Sequence, residues 1–141
     1  MSIQKVYIKE NVSVNEYQMY LVASKIMNLN IPLFYMYCPL NKRMIVKYIN
    51  ALSISDMYGE DIDKVPLNIM IKIRQTILLL FMNDIVYPDI TGYNFIYLNN
   101  KIWIVDFEHA YKRTVNNCDD DNQLFIKKFI NNYQSWNPDF K

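Results

Sequence analysis

The apolar residues change period several times along the chain. Val6-Tyr7-Ile8 is a short apolar run ending at Lys9, and it predicts a strand. Ser13-Val14-Asn15-Glu16 has the spacing of a capping box. Behind it, Met19, Val22, Ala23, Ile26 and Met27 recur at helical spacing. The helix they predict stops near Asn28 to Asn30, because Pro32 disfavours helix in the residue before it. Leu33 to Cys38 and Arg43 to Ile49 flank Pro39-Leu40-Asn41-Lys42 and predict the two strands of a hairpin. Asn50 to Gly59 reads as a connector holding a short helix.

Pro66 suits the first turn of a long helix reaching to about Asn83. Asn68, Lys72, Gln75, Thr76 and Asn83 form one polar stripe, and nearly everything else there is Ile, Leu, Met or Phe. A helix apolar over most of its circumference is expected to be buried. Phe95 to Leu98 and Lys101 to Val105 predict two short strands joined by Asn99-Asn100, since asparagine tolerates positive φ. Asp119, Asp120 and Asp121 suit the N-terminus of a final helix over Gln123 to Tyr133, and Ser135 to Lys141 forms a tail. The order predicts an α+β fold in two small lobes, residues 1–49 and 50–141.

Composition narrows the function classes. At 141 residues the chain is the size of one domain, and 52% hydrophobic against 21% charged residues supports a packed core. A formal net charge of +1 gives no field that would point to nucleic acid. Met-Ser-Ile-Gln-Lys has no signal-peptide core, and the apolar run Ile77 to Met82 is too short to span a bilayer. The expectation is a soluble, intracellular, cytoplasmic protein with no membrane partner. Cys38 and Cys118 lie far apart, outside metal-ligand spacing, and read as buried reduced thiols. The single histidine, His109, cannot build a zinc site without carboxylates. Abundant Asn, Ile, Lys and Tyr suit an AT-rich coding genome, such as that of some large DNA viruses or microbial parasites.

The informative stretch is Asp89-Ile90-Thr91-Gly92-Tyr93-Asn94, then the hairpin, then Val105-Asp106-Phe107. Phosphoryl transfer asks little covalent chemistry of a protein but much positioning and charge compensation. A carboxylate must meet the attacking hydroxyl, and hard oxygen ligands must hold Mg²⁺ against phosphates. The antiparallel hairpin can bring Asp106 back beside Asn94. These residues resemble the catalytic loop and metal-binding motif of the protein-kinase-like superfamily, in which an Asp is followed five residues later by an Asn and a hairpin leads to Asp-Phe-Gly. The resemblance implies Asp89 as catalytic base, Asn94 and Asp106 as Mg²⁺ ligands, and ATP as nucleotide. It extends upstream. Val6 to Lys9 is similar to the strand bearing the phosphate-contacting lysine, with Lys5 as the rival of Lys9. Glu16 would be the helix carboxylate that pairs with the lysine, although its place in the capping box also accounts for it. Met44 to Ile49 resembles the strand entering the hinge, so Lys47, Tyr48 and Ile49 would face adenine through their backbone.

Four departures accompany the resemblance. No Gly-rich loop precedes Lys9, so the implied fold is a minimal two-lobe kinase with a reduced N-lobe. Tyr87-Pro88-Asp89 replaces His-Arg-Asp. Asp106-Phe107-Glu108 replaces Asp-Phe-Gly, with Glu108 expected to point to solvent and His109, beside Phe107, expected to be structural. No Ala-Pro-Glu segment follows, and about thirty residues remain after Ala110. Such shortness resembles the compact RIO-like and KEOPS-type kinases. Three functions follow as expectations. The first is an ATP- and Mg²⁺-dependent phosphotransferase, a Ser/Thr protein kinase with a protein substrate. The second is a pseudokinase that binds a partner kinase or its substrate. The weakest is a small-molecule kinase of the aminoglycoside or choline type. A homo-oligomer would cover apolar surface left by the reduced N-lobe.

Overall fold

The computed structural model describes residues 5–117 and 121–140. The fold is α+β, as the pattern predicts. Strand β1 (Val6–Lys9) is followed by helix α1 (Val14–Ser24), then β2 (Phe34–Cys38) and β3 (Arg43–Lys47). These strands form an antiparallel sheet in the order β1-β3-β2, with Val6 opposite Lys47 and Lys9 opposite Met44. Ser13 caps α1, its Oγ accepting from the Glu16 N–H at 3.0 Å. The Glu16 side chain turns away from the cap and into the protein, toward Lys9. The reciprocal half of the predicted capping box is therefore replaced by an ion pair.

Helix α1 ends earlier than its period predicts. Ser24 is its last residue, Asn28 takes φ 70°, and Met27 stands exposed beyond the end. The left-handed turn at Asn28 redirects the chain toward Asn30, whose carbonyl oxygen accepts from the Ile104 N–H at 3.0 Å. That bond ties the first sheet unit to the hairpin below it.

Helix α2 (Ile54–Tyr58), capped by Ser53, occupies the connector. Helix α3 (Leu67–Met82) follows Pro66, which sits at the N-cap. One face of α3, including Ile69, Ile73, Ile77 and Leu80, packs into the core against α4 (Asp121–Ile130), β4 (Ile85–Val86) and β6 (Lys101–Ile104). The expected all-round burial of α3 is corrected here. Leu67, Ile71, Leu78 and Met82 are exposed, because the protein covers only one side of the helix.

Strands β5 (Phe95–Leu98) and β6 pair in register, Phe95 opposite Ile104 and Leu98 opposite Lys101. Asn99 and Asn100 both take left-handed φ, 54° and 62°, as a tight hairpin turn requires. The short β4 pairs with β7 (Tyr111–Lys112). Cys38 is a free thiol, half-buried rather than buried. Cys118, Asp119 and Asp120, and Met1 to Gln4, lie outside the described residues; Asp121 is the first residue of α4. Among the described residues, no helix is long and apolar enough to cross a membrane.

An aromatic column joins the parts. The Phe107 ring packs edge-on to Tyr20 of α1 (5.6 Å) and to Tyr87 (5.5 Å). Tyr87 continues to Phe95, which stacks on Trp136, which stacks on Phe129 of α4. Tyr20, Tyr87, Phe95, Phe107 and Phe129 are all fully buried. The column includes Phe95, next to Asn94, Phe107, next to Asp106, and Tyr87, two residues before Asp89.

Candidate active site

The polar groups meet where the first sheet faces the β5–β6 hairpin. Lys9, at the end of β1, donates to Glu16 Oε2 and to Asp106 Oδ1, the latter at 3.0 Å. Lys5 is exposed and engages neither carboxylate, so Lys9 is the lysine of the cleft. Glu16 is 2% exposed and Lys9 half-buried. Burial lowers the Lys9 pKa, but the charge of Asp106 and the bonds to Glu16 outweigh it, and the net shift is upward. The Glu16 pKa is also raised: burial is the largest cause, Lys9 opposes it, and Asp106 and Glu108 add to it. Pairing alone would depress a carboxyl, so the rise at Glu16 has another cause. Burial decides for Glu16, because its carboxylate lies inside while the ammonium keeps contact with the cleft.

Asp106 follows β6 and turns its Oδ1 inward, where it accepts from Lys9 and from the Glu108 N–H at 2.9 Å. Asn94 ends a short 3-10 turn capped by Thr91. Its Nδ2 donates to the Asp89 carbonyl oxygen at 2.9 Å, and its own carbonyl oxygen accepts from the Val105 N–H at 3.3 Å. With its NH₂ engaged, Asn94 has its side-chain oxygen left for a ligand. Gly92 permits the close approach of this turn to α2, since a Cβ there would lie 2.1 Å from Ser55 Oγ.

Two connected hollows follow. One, of about 360 Å³, is lined by Lys9, Val46, Asn94, Val105 and Asp106, with Lys47, Tyr48 and Ile49 along one edge. The Lys47 and Tyr48 N–H groups donate to the Leu33 and Lys5 carbonyl oxygens. The Ile49 N–H has no backbone partner among the described residues. The second hollow, of about 470 Å³, holds Asp89, Asn94, Asp106, Glu108, His109 and Glu60. Asp89, Asn94 and Asp106 therefore share one basin, and Lys9 with Lys47, Tyr48 and Ile49 shares the adjoining one. Glu16 lies behind, reaching the cleft only through Lys9.

Asp89 is nearly buried, and its Oδ2 lies 2.7 Å from His109 Nδ1. Burial raises the Asp89 pKa, opposed by His109 and assisted by Asp106 and Glu108. The turn after Asp106 swings the His109 ring, which the sequence places only beside Phe107, onto Asp89. Glu108 is exposed, as expected. The tail completes the site. Asn137, 2% exposed, donates from Nδ2 to the Pro88 carbonyl oxygen at 2.8 Å and from its backbone to the Ile90 carbonyl oxygen at 2.9 Å. The Phe140 ring lies 5.0 Å from His109. No local signal marks Asn137, because its partners stand 49 residues away in the chain.

No protein-family model matches the sequence, and no curated protein matches it. Function is therefore argued from the site. Among the described residues, no three His, Cys, Asp or Glu side chains gather as a ready-made cation site. One carboxylate and one amide oxygen suit a hard cation that takes its remaining ligands from phosphate and water, which is how Mg²⁺ is usually held.

Proposed function

We propose that this protein is an ATP- and Mg²⁺-dependent phosphotransferase, built as a minimal protein-kinase-like fold with a reduced N-lobe. The observation that carries the reading is the pair of contacts Lys9 makes with Glu16 and Asp106, in a cleft that Asn94 and Asp89 also line. A lysine fixed by a buried glutamate is a positioned cation for nucleotide phosphates. Asn94 and Asp106 are the residues that would hold Mg²⁺, whose charge would offset that of the phosphates. The Ile49 N–H, at the apolar hollow containing Val46, Ile96 and Val105, suits the edge of a base. An acceptor hydroxyl would enter through the basin of Asp89 and His109. Protein Ser or Thr hydroxyls fit an open basin of this kind.

The test is Mg²⁺-dependent ATP turnover by the chain and by its Asp106→Ala and Asp89→Asn forms. Turnover lost in both supports the reading. Turnover equal in all three removes it.

A second reading, a pseudokinase that engages a partner kinase or its substrate, is favoured by one observation. Strand β1 is an edge strand with Val6, Tyr7 and Ile8 all about half exposed, on the side where a phosphate-covering loop would stand. Nucleotide binding without turnover, together with capture of a kinase, would favour this reading. A small-molecule kinase ranks third, distinguished by transfer to aminoglycoside or choline rather than to peptide.

A further inference from the structure

Asp89 is poorly placed to receive a proton itself. Its side chain is 7% exposed, and Oδ2 is held by His109 Nδ1 at 2.7 Å. Its Oδ1 is buried and has no hydrogen-bond partner among the described residues. An acceptor hydroxyl arriving from the basin finds Asp89 on its wall but little of either oxygen open. What it meets is the imidazole, 49% exposed and lining the same basin as Asn94 and Asp106.

An ionised carboxylate only accepts hydrogen bonds, so the neutral imidazole beside it must carry its proton on Nδ1. Nε2 is then the lone-pair nitrogen. A buried carboxylate orienting a half-exposed imidazole is the arrangement by which hydrolases make a histidine a general base. Phe140 against the ring and Asn137 under Pro88 hold both members in place.

Resting on the phosphotransferase reading, we propose that His109 Nε2 is the general base of this site and that Asp89 is its positioning partner. In the step, the acceptor O–H bond breaks and its proton goes to Nε2. The acceptor oxygen forms a bond to the γ-phosphorus of a nucleoside triphosphate. The bond from that phosphorus to the β,γ-bridging oxygen breaks, and its electron pair leaves with the nucleoside diphosphate. The imidazolium then returns its proton to water.

The ionisable groups around His109 are all acidic or phenolic. Asp89 contacts it, Asp106 and Glu108 belong to its own segment, and Glu60, bonded to Tyr93 Oη at 2.8 Å, closes the basin. The tail contributes an uncharged ring, Phe140. Burial lowers the imidazole pKa, and Asp89, Glu108 and Asp106 more than reverse this. The base form therefore appears at higher pH than for a free imidazole.

The chain has a single histidine, so one imidazole signal reports on it. Long-range ¹⁵N–¹H spectra of the intact protein are expected to show the Nδ1–H tautomer, with Asp89→Asn lowering the titration midpoint. An Nε2–H tautomer, or a midpoint indifferent to Asp89→Asn, overturns the pairing. In the second arm, Mg²⁺-ATP hydrolysis with water as acceptor is followed against pH. His109→Gln is expected to lose about a hundredfold in kcat and to lose the acid limb. Turnover by His109→Gln at the parent rate, with the limb intact, overturns this role and leaves the phosphotransferase reading standing. No turnover by the parent protein overturns the phosphotransferase reading and this role with it, while the spectra still decide the pairing.

Discussion

Lys9 Nζ lies 3.0 Å from Asp106 Oδ1, across 97 residues of sequence, and the same ammonium holds Glu16. One cation thus joins β1, α1 and the end of β6. Replacing Lys9 with Met would leave Glu16, 2% exposed, as a buried carboxylate without its cation. The expected cost is about 1–3 kcal/mol of stability, the usual penalty for stranding a buried polar group. Lys9→Met combined with Glu16→Gln should recover part of it, because the stranded charge is gone. Urea unfolding of the single and double variants measures this coupling. Strictly additive losses would mean that the pair does not operate as a unit.

The tail residue Asn137 supports the Asp89 segment, with two hydrogen bonds to the 88–90 backbone. Asn137→Ala is expected to destabilise the protein by about 0.5–1.5 kcal/mol, because the Pro88 carbonyl oxygen loses one of its two donors and keeps only the Ile90 N–H at 2.8 Å. Asn137→Asp should be worse, since a carboxylate oxygen would face that carbonyl oxygen. Amide exchange at Ile90 and Thr91 should quicken in both variants. Unchanged exchange there would show that the tail merely rests on the loop.

Local patterns carried much of this arrangement, and long-range ones did not. The Asp89-to-Asn94 spacing and the Asn99-Asn100 turn place Asp106 beside Asn94 through neighbouring backbone alone, so sequence was enough. The preference for Lys9 over Lys5 needed α1 to supply Glu16, which only tertiary packing decides. The His109 contact depends on a turn after Asp106 reaching back 20 residues to Asp89. A lone histidine near an aromatic carries no mark of that. The apolar period through Ile26 and Met27 suggested a longer α1, but the left-handed Asn28 prevailed. Ile71 and Leu78 look like core in the sequence of α3, yet an apolar residue is buried only where another element covers it.

The His109–Asp89 pair makes stability depend on pH, with a definite sign. The His109 pKa is raised in the folded state: burial lowers it, and Asp89 leads the groups that outweigh burial. Its contribution is therefore fully present below the unfolded imidazole value of about 6.5 and fades as pH rises through the higher folded value. The Asp89 carboxyl is also raised, chiefly by burial, so its contribution is present in acid and fades as pH rises through its folded value. Since the imidazole is half exposed, the decline above pH 6.5 should stay below about 1 kcal/mol. Denaturant midpoints between about pH 6 and 8 should fall in the parent protein and flatten in His109→Gln. A slope that survives the substitution would assign it to another group.

Tyr87 sits at the centre of the aromatic column, yet its hydroxyl is buried with no hydrogen-bond partner among the described residues. Burial, with the nearby charges of Asp106, Asp89 and Glu16, pushes its pKa well up, so the phenol stays neutral. An unpartnered buried hydroxyl loses its hydration and gains nothing in return. The ring contacts to Phe95 and Phe107 do not need the oxygen. Tyr87→Phe should therefore leave stability unchanged or raise it by up to about 1 kcal/mol, whereas Phe107→Ala, which cuts the column, should cost about 3–5 kcal/mol. Thermal unfolding of the two variants separates these outcomes. A loss above about 1 kcal/mol in Tyr87→Phe would reveal a partner for the hydroxyl, such as an ordered water, and would make the Tyr87-Pro88-Asp89 turn a polar anchor rather than an apolar one.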